Sequence, residues 1–141
     1  MTDFKYAGDL SPEESWQLLS SDPNAEMIDV RTDAEFSYVG LPDLSATGKE
    51  LRLISWKVFP SMDINPLFEA DVEALGFDKE QPILFLCRSG VRSRAAAHAI
   101  TALGYSRCFN VAEGFEGDND DAKHRGTVNG WKVRGLPWVQ G

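Results

Sequence analysis

No stretch of these 141 residues is long and apolar enough to span a bilayer, so a membrane is not an expected partner. The N-terminus, MTDFKYAGDL, has neither a basic start nor an apolar segment behind it. It does not read as a secretory signal, and the cytoplasm is the expected compartment. Cysteine is scarce. Cys87 and Cys108 are too few for a disulfide framework, and there is no C-x-x-C pair. With only His98 and His124 besides, a zinc site is not expected. Positive charge is also in deficit, with 14 Lys and Arg against 22 Asp and Glu, a net charge of -8. That balance, with no basic stripe interleaved with aromatics, argues against a nucleic-acid partner. The chain shows no internal repeat, low-complexity tract or linker, and its length suits a single domain.

Hydrophobic residues make up 43% and charged residues 26%, a globular balance that argues against wholesale disorder. Along the chain, helix and strand signals alternate. In DLSPEESWQLLSSD, Ser11 is a good N-cap, Pro12 suits the first helical position and Glu14 completes a capping box. Trp16 and Leu19 would face inward. AEMIDV reads as a strand, and TDAEF opens a short helix with Thr32 and Glu35 at capping-box spacing. VGLPDLSATGKE reads as a loop, LRLISW as a strand, and INPLFEADVEALG as an amphipathic helix stopped at Gly76. PILFL is continuously apolar, as a strand buried on both faces must be. SRAAAHAITALG is a helix whose alanines let it lie close to a sheet, with Arg94, His98 and Thr101 as an exposed stripe. RCFNV is a further strand. The alternation predicts an α/β domain with a mostly parallel sheet. Residues 112–141 are Gly-rich and read as a C-terminal extension packed on the core, with a short helix near Trp131.

The chemistry gathers at ILFLCRSGVRSRAAAHAI. Cys87 ends a strand, and ligands of open α/β sheets bind beyond the carboxyl ends of strands. The next residues form a turn whose N–H groups can converge as a nest, and a helix start adds partial positive charge. Arg88, Arg92 and Arg94 crowd the same short stretch of an acidic chain. Each feature favours thiolate over thiol, and together they make an anion site. A nucleophilic sulfur in an anion-binding loop suits displacement on an anionic sulfur or phosphorus donor.

At these residues the chain resembles the rhodanese family of sulfurtransferases. CRSGVRS is similar to the family's active-site loop, and IDVRTDAEF upstream is similar to its Asp-Val-Arg segment with the following Glu. The resemblance implies a central parallel sheet flanked by helices on both faces. It also implies sulfur transfer in two displacements through a Cys87 persulfide. The backbone of Arg88, Ser89, Gly90, Val91 and Arg92 would cradle the terminal sulfur. Arg88 and Arg92 would orient a small anionic donor such as thiosulfate, and the acceptor would be a thiol, cyanide or a protein. No cofactor is implied. Cys87 to Arg92 spans six residues, and related phosphatases use a loop one residue longer, so sulfur is favoured over phosphate. A cysteine-based phosphatase and a non-catalytic sulfur-relay or partner-binding module are the alternatives. The chain reads VGLPDL where many members carry Gly-His-Ile, and EGFEG where they carry a Gly-Gly turn.

Other candidates read more simply as structure. Cys108 starts its strand where Cys87 ends its own, so it is expected in the core and not bridged to Cys87. Asp29 and Arg31 read as an ion pair or loop anchor, and Glu35 as half of its capping box. His98 lies about 10 Å along its helix from the loop, too far to act as a base. His124 reads as a surface residue. GDNDDAKHRG lacks the spacing of a calcium loop and reads as a solvated turn. Trp56, Phe59, Met62 and Phe115 are either pocket-mouth or core residues.

Overall fold

The computed structural model describes residues 5–58 and 61–140. In chain order the elements are β1 (Gly8–Leu10), α1 (Pro12–Ser21), β2 (Glu26–Asp29), α2 (Asp33–Tyr38), β3 (Leu41–Pro42), a 3₁₀ turn (Ser45–Thr47), β4 (Arg52–Leu53), β5 (Lys57–Val58), β6 (Asp63–Ile64), α3 (Phe68–Ala74), β7 (Ile83–Leu86), α4 (Val91–Thr101), β8 (Cys108–Val111) and β9 (Trp138–Val139). Both predicted capping boxes form. Ser11 and Glu14 exchange side-chain and backbone hydrogen bonds at the start of α1, and Thr32 and Glu35 do so at the start of α2.

Five strands form one parallel sheet in the order β1-β8-β7-β2-β4. The central strand β7 is buried along its whole length, as the apolar run PILFL requires. Its side chains alternate between two cores. Ile83, Phe85 and Cys87 join Ile28, Val30 and Cys108 under α3 and α4, where Phe68, Val72, Ala96, Ala97 and Ile100 cover them. Leu84 and Leu86 face the other way, with Leu19 of α1 and with Phe115 and Trp131 of the C-terminal segment. Helices therefore cover both faces, and the alanines of α4 do bring it close to the sheet. Among the described residues, no helix is long and apolar enough to cross a membrane.

Several elements differ from the sequence expectation. Strand β1 carries no alternating pattern and is ordered by pairing with β8, Gly8 opposite Phe109. The LRLISW strand shrinks to Arg52–Leu53, although Ile54 and Trp56 still donate to the carbonyls of Asp29 and Val30. Helix α4 starts at Val91, earlier than expected, because Gly90 turns the chain at φ +105° just before it. Of its expected exposed stripe, Arg94 is exposed while His98 and Thr101 are half-buried. The region read as a plain loop after α2 contains β3, which pairs antiparallel with β9 from the chain's far end. No helix forms near Trp131. Gly130 and Gly135, at φ +103° and +75°, bracket a run of hydrogen-bonded turns instead. Strands β5 and β6 form a hairpin that the sequence reading did not anticipate. Phe59, between them, lies outside the described residues.

Candidate functional site

Strands β2, β7 and β8 run parallel, so their carboxyl ends lie on one edge of the sheet. Cys87 follows β7 at that edge. Its Sγ accepts the Gly90 N–H at 3.1 Å and lies 3.2 Å from the Ser93 hydroxyl. Gly90 is indispensable to this turn. A Cβ there would sit 2.2 Å from the Ala112 carbonyl oxygen, and the φ of +105° disfavours any side chain. Cys87 is only 1% exposed.

Ser93 extends the site inward. Its Oγ lies 2.5 Å from Asn110 Oδ1, and Asn110 Nδ2 donates to Asp9 Oδ1 at 3.0 Å. The Tyr6 hydroxyl donates to the same Asp9 oxygen at 2.8 Å. Burial raises the Tyr6 pKa first, and the hydrogen bond and charge of Asp9 add to it. The Asp9 bond fixes the Asn110 amide with its oxygen toward Ser93. Ser93 and Asn110 were not singled out in the sequence. A hydroxyl residue directly after Arg92, within the first turn of α4, was the available signal.

The loop residues take different positions. Arg88 and Val91 are exposed, Ser89 is half-buried, and Gly90 is buried. Arg92 points to α2, where its guanidinium forks onto Glu35, Nη1 to Oε1 at 2.7 Å and Nη2 to Oε2 at 2.9 Å. Glu35 thus does two jobs, since Oε1 also accepts the Thr32 N–H and hydroxyl. Burial would raise the Glu35 carboxyl, but Arg92 and Thr32 together outweigh it and hold the pKa at about 2. Burial lowers the Arg92 pKa, but Glu35 and the nearby Cys87 raise it by more.

Asp29 and Arg31 form the anchor beneath the site. Both side chains are fully buried, and Arg31 Nη2 meets Asp29 Oδ2 at 2.6 Å and the Gly40 carbonyl at 2.7 Å. Burial pushes the Asp29 carboxyl up, and the Arg31 fork acts against it. The Arg31 guanidinium lies 4.4 Å from the Phe115 ring centroid, while its Nη1 makes no hydrogen bond among the described residues. Phe115 is therefore core, and half-buried Trp56 packs against the other core, edge-on to Phe68 at 5.0 Å. Met62 is exposed on the hairpin.

The segment after β8 completes the loop's support. Phe115 N–H donates to the Cys87 carbonyl at 2.8 Å, and the N–H groups of Glu116 and Gly117 both donate to the Arg88 carbonyl, at 3.0 and 3.1 Å. A Cβ on Gly114 would lie 2.6 Å from the Arg88 carbonyl and the Ser89 nitrogen, so EGFEG packs directly on the Cys87 loop. Asp120 organises the following turn by accepting from the N–H groups of Ala122 and His124 and from the Thr127 hydroxyl. His124 is exposed on that turn. No cluster of acidic, His and Cys side chains able to hold a metal occurs among the described residues. Cys108 is buried and unbridged, and burial pushes its thiol up to about 11.

A parallel sheet that delivers a cysteine into a six-residue Cys-to-Arg turn at a helix start defines the rhodanese class of domain. The chain belongs to the rhodanese-like domain family, which matches residues 11–121. It is similar to the crystal structure of Rv0390 from M. tuberculosis, with 41% identity and a TM-score of 0.88 over 97% of this chain and 100% of that one. It is also 41% identical to the uncharacterized protein RP600 homolog of Rickettsia rickettsii, over 89% of this chain and 91% of that protein. A more distant relative is the thiosulfate sulfurtransferase GlpE of Actinobacillus succinogenes, at 25% identity over 92% of this chain and 87% of that protein.

Proposed function

We propose that this protein is a sulfurtransferase working through a persulfide on Cys87, in a reducing compartment such as the cytoplasm. The observation that carries this reading is the convergence of the Gly90 N–H and the Ser93 hydroxyl on Cys87 Sγ at the sheet's carboxyl edge. Donors aimed at sulfur stabilise the thiolate and the terminal sulfur of a persulfide alike. The relative named as a thiosulfate sulfurtransferase supports the same chemistry.

In the first displacement the Cys87 thiolate attacks the outer sulfur of a small anionic donor. The donor's S–S bond breaks and its electron pair leaves with the donor fragment. In the second, a thiol, cyanide or a protein acceptor removes the outer sulfur and returns the thiolate. The N–H groups of residues 88–92 cradle the transferred sulfur. Exposed Arg88 meets the donor's charge, whereas Arg92 acts from its bridge to Glu35.

Intact mass with peptide mapping tests this. Thiosulfate should add one sulfur to Cys87, cyanide should remove it, and Cys87→Ser should abolish transfer while the circular dichroism spectrum is kept. A fully active Cys87→Ser protein would overturn the proposal. Hydrolysis of an aryl phosphate without sulfur loading would replace it with the phosphatase reading.

A further inference from the structure

Beside the reactive loop lies a cleft of about 500 Å³, lined by Glu35, Arg88, Glu116, Asn119, Lys123 and Arg125, with Val39 at its rim. One wall is the Cys87 loop and the start of α2. The other is the Asp120-organised turn. The two walls are joined, because Glu116 and Gly117 donate to the Arg88 carbonyl and Arg125 Nη1 donates to the Gly117 carbonyl at 2.7 Å.

The charges in this cleft run against the rest of the molecule. Arg88, Lys123 and Arg125 face two carboxylates, and Glu35 is already neutralised by its fork from Arg92. Neither Arg88 nor Lys123 takes part in an ion pair among the described residues, and both are exposed. The cleft is therefore cationic in a chain of net charge -8. Its volume lies in the range of sites for whole organic ligands, about 300–1,000 Å³, and is far larger than thiosulfate needs.

Resting on the sulfurtransferase reading, we infer that this cleft selects an organic persulfide bearing at least two carboxylates, with Lys123 and Arg125 as specificity-determining residues. The persulfide end reaches Cys87 past Arg88, and the carboxylates lie on the far wall. The Cys87 thiolate attacks the outer sulfur of R–S–SH. A Cys87–S–SH bond forms, the donor's S–S bond breaks, and R–S⁻ leaves with the electron pair, so charge and atoms balance without an oxidant. Arg92, expected with Arg88 to orient the donor, is forked onto Glu35, and Lys123 and Arg125 on the turn after β8 add the selecting charge.

The test compares glutathione persulfide with thiosulfate as donors to the full chain, wild type and Lys123→Gln. The ratio of kcat/KM for glutathione persulfide to that for thiosulfate should fall about tenfold in the variant, through KM, as expected for one lost charged contact. An unchanged ratio would overturn the inference. Calorimetry of Cys87→Ser with S-methylglutathione reads the cleft without the reaction. Binding that weakens about tenfold in Cys87→Ser/Lys123→Gln supports the cleft, and no binding, or binding indifferent to Lys123, overturns it. If no donor loads Cys87 the sulfurtransferase reading fails, and the calorimetry still decides the cleft on its own.

Discussion

Ser93 has one hydroxyl proton and two groups within reach that can accept it, Asn110 Oδ1 at 2.5 Å and Cys87 Sγ at 3.2 Å. While Cys87 is a thiol, its S–H can donate to Ser93 and Ser93 to Asn110. Once Cys87 is a thiolate, the hydroxyl must swing to the sulfur, leaving the Asn110 oxygen short of a donor. On the proposed sulfurtransferase reading, Ser93 is a positioning residue whose proton follows the charge on sulfur. Ser93→Ala should slow persulfide formation about tenfold, the worth of one hydrogen bond to a charged group, and Ser93→Thr should restore most of it. Stopped-flow loading across a pH series checks this, and an alanine variant that loads at the wild-type rate would remove the role. Cys87 and its glycine were legible in the sequence, because a Cys–Gly–Arg turn between an apolar run and a helix start is a local pattern. Ser93's partner was not legible, because Asn110 comes beside it only through the pairing of β8 with β7, and Asp9 reaches Asn110 only through the pairing of β8 with β1.

At the scale of elements, the fork between Arg92 and Glu35 ties α4 to α2 across the mouth of the site. The Glu35 pKa is depressed in the folded protein to about 2. The carboxylate's contribution is therefore full above its unfolded value of about 4.3 and is lost as pH falls through the folded value. Glu35→Gln should lower stability at pH 7, and its gap from the wild type should narrow as pH drops below about 4.3. Urea unfolding at a series of pH values measures that gap. A gap constant with pH would mean that the charge of Glu35 adds nothing to stability. The two capping boxes were readable because Ser-x-x-Glu and Thr-x-x-Glu are complete within a single turn. The Glu35–Arg92 bridge was not, since its partners stand 57 positions apart. Strands β1, β3 and β9 escaped for the same reason. Each has three residues or fewer and owes its form to a partner distant in the chain.

Across the whole molecule, the C-terminal segment closes a circuit. Trp131 is fully buried against Leu19, Leu84 and Leu86, and its indole N–H donates to the Pro137 carbonyl at 2.7 Å. Beyond it β9 pairs with β3, Asp43 N–H donates to the Pro137 carbonyl at 2.9 Å, and Lys132 Nζ donates to the Val39 carbonyl at 3.0 Å. Composition marked this segment as glycine-rich, yet Gly114, Gly117 and Gly130 serve close packing. A Cβ on Gly117 would lie 2.2 Å from the Asn129 carbonyl, and across the strand pair a Cβ on Gly40, outside the segment, would lie 2.7 Å from the Val139 carbonyl. Trp131→Ala should destabilise the fold by about 3–5 kcal/mol, the cost of removing a large buried aromatic. Denaturant unfolding measures it, and a loss under about 1 kcal/mol would show that the ring is not a keystone of the second core.

The Arg88 carbonyl, which holds the N–H groups of both Glu116 and Gly117, sets an order of failure on heating. The loop around Cys87 is stapled to a stretch made of turns, while the strand that delivers Cys87 lies in the middle of a five-stranded sheet. Turns of that kind open before central strands do. Warming should therefore disarm the reactive loop while the sheet still holds, and cooling should re-arm it. The temperature that ends the proposed sulfur transfer would then lie below the one that ends the fold, like a fuse set to trip before the wiring melts.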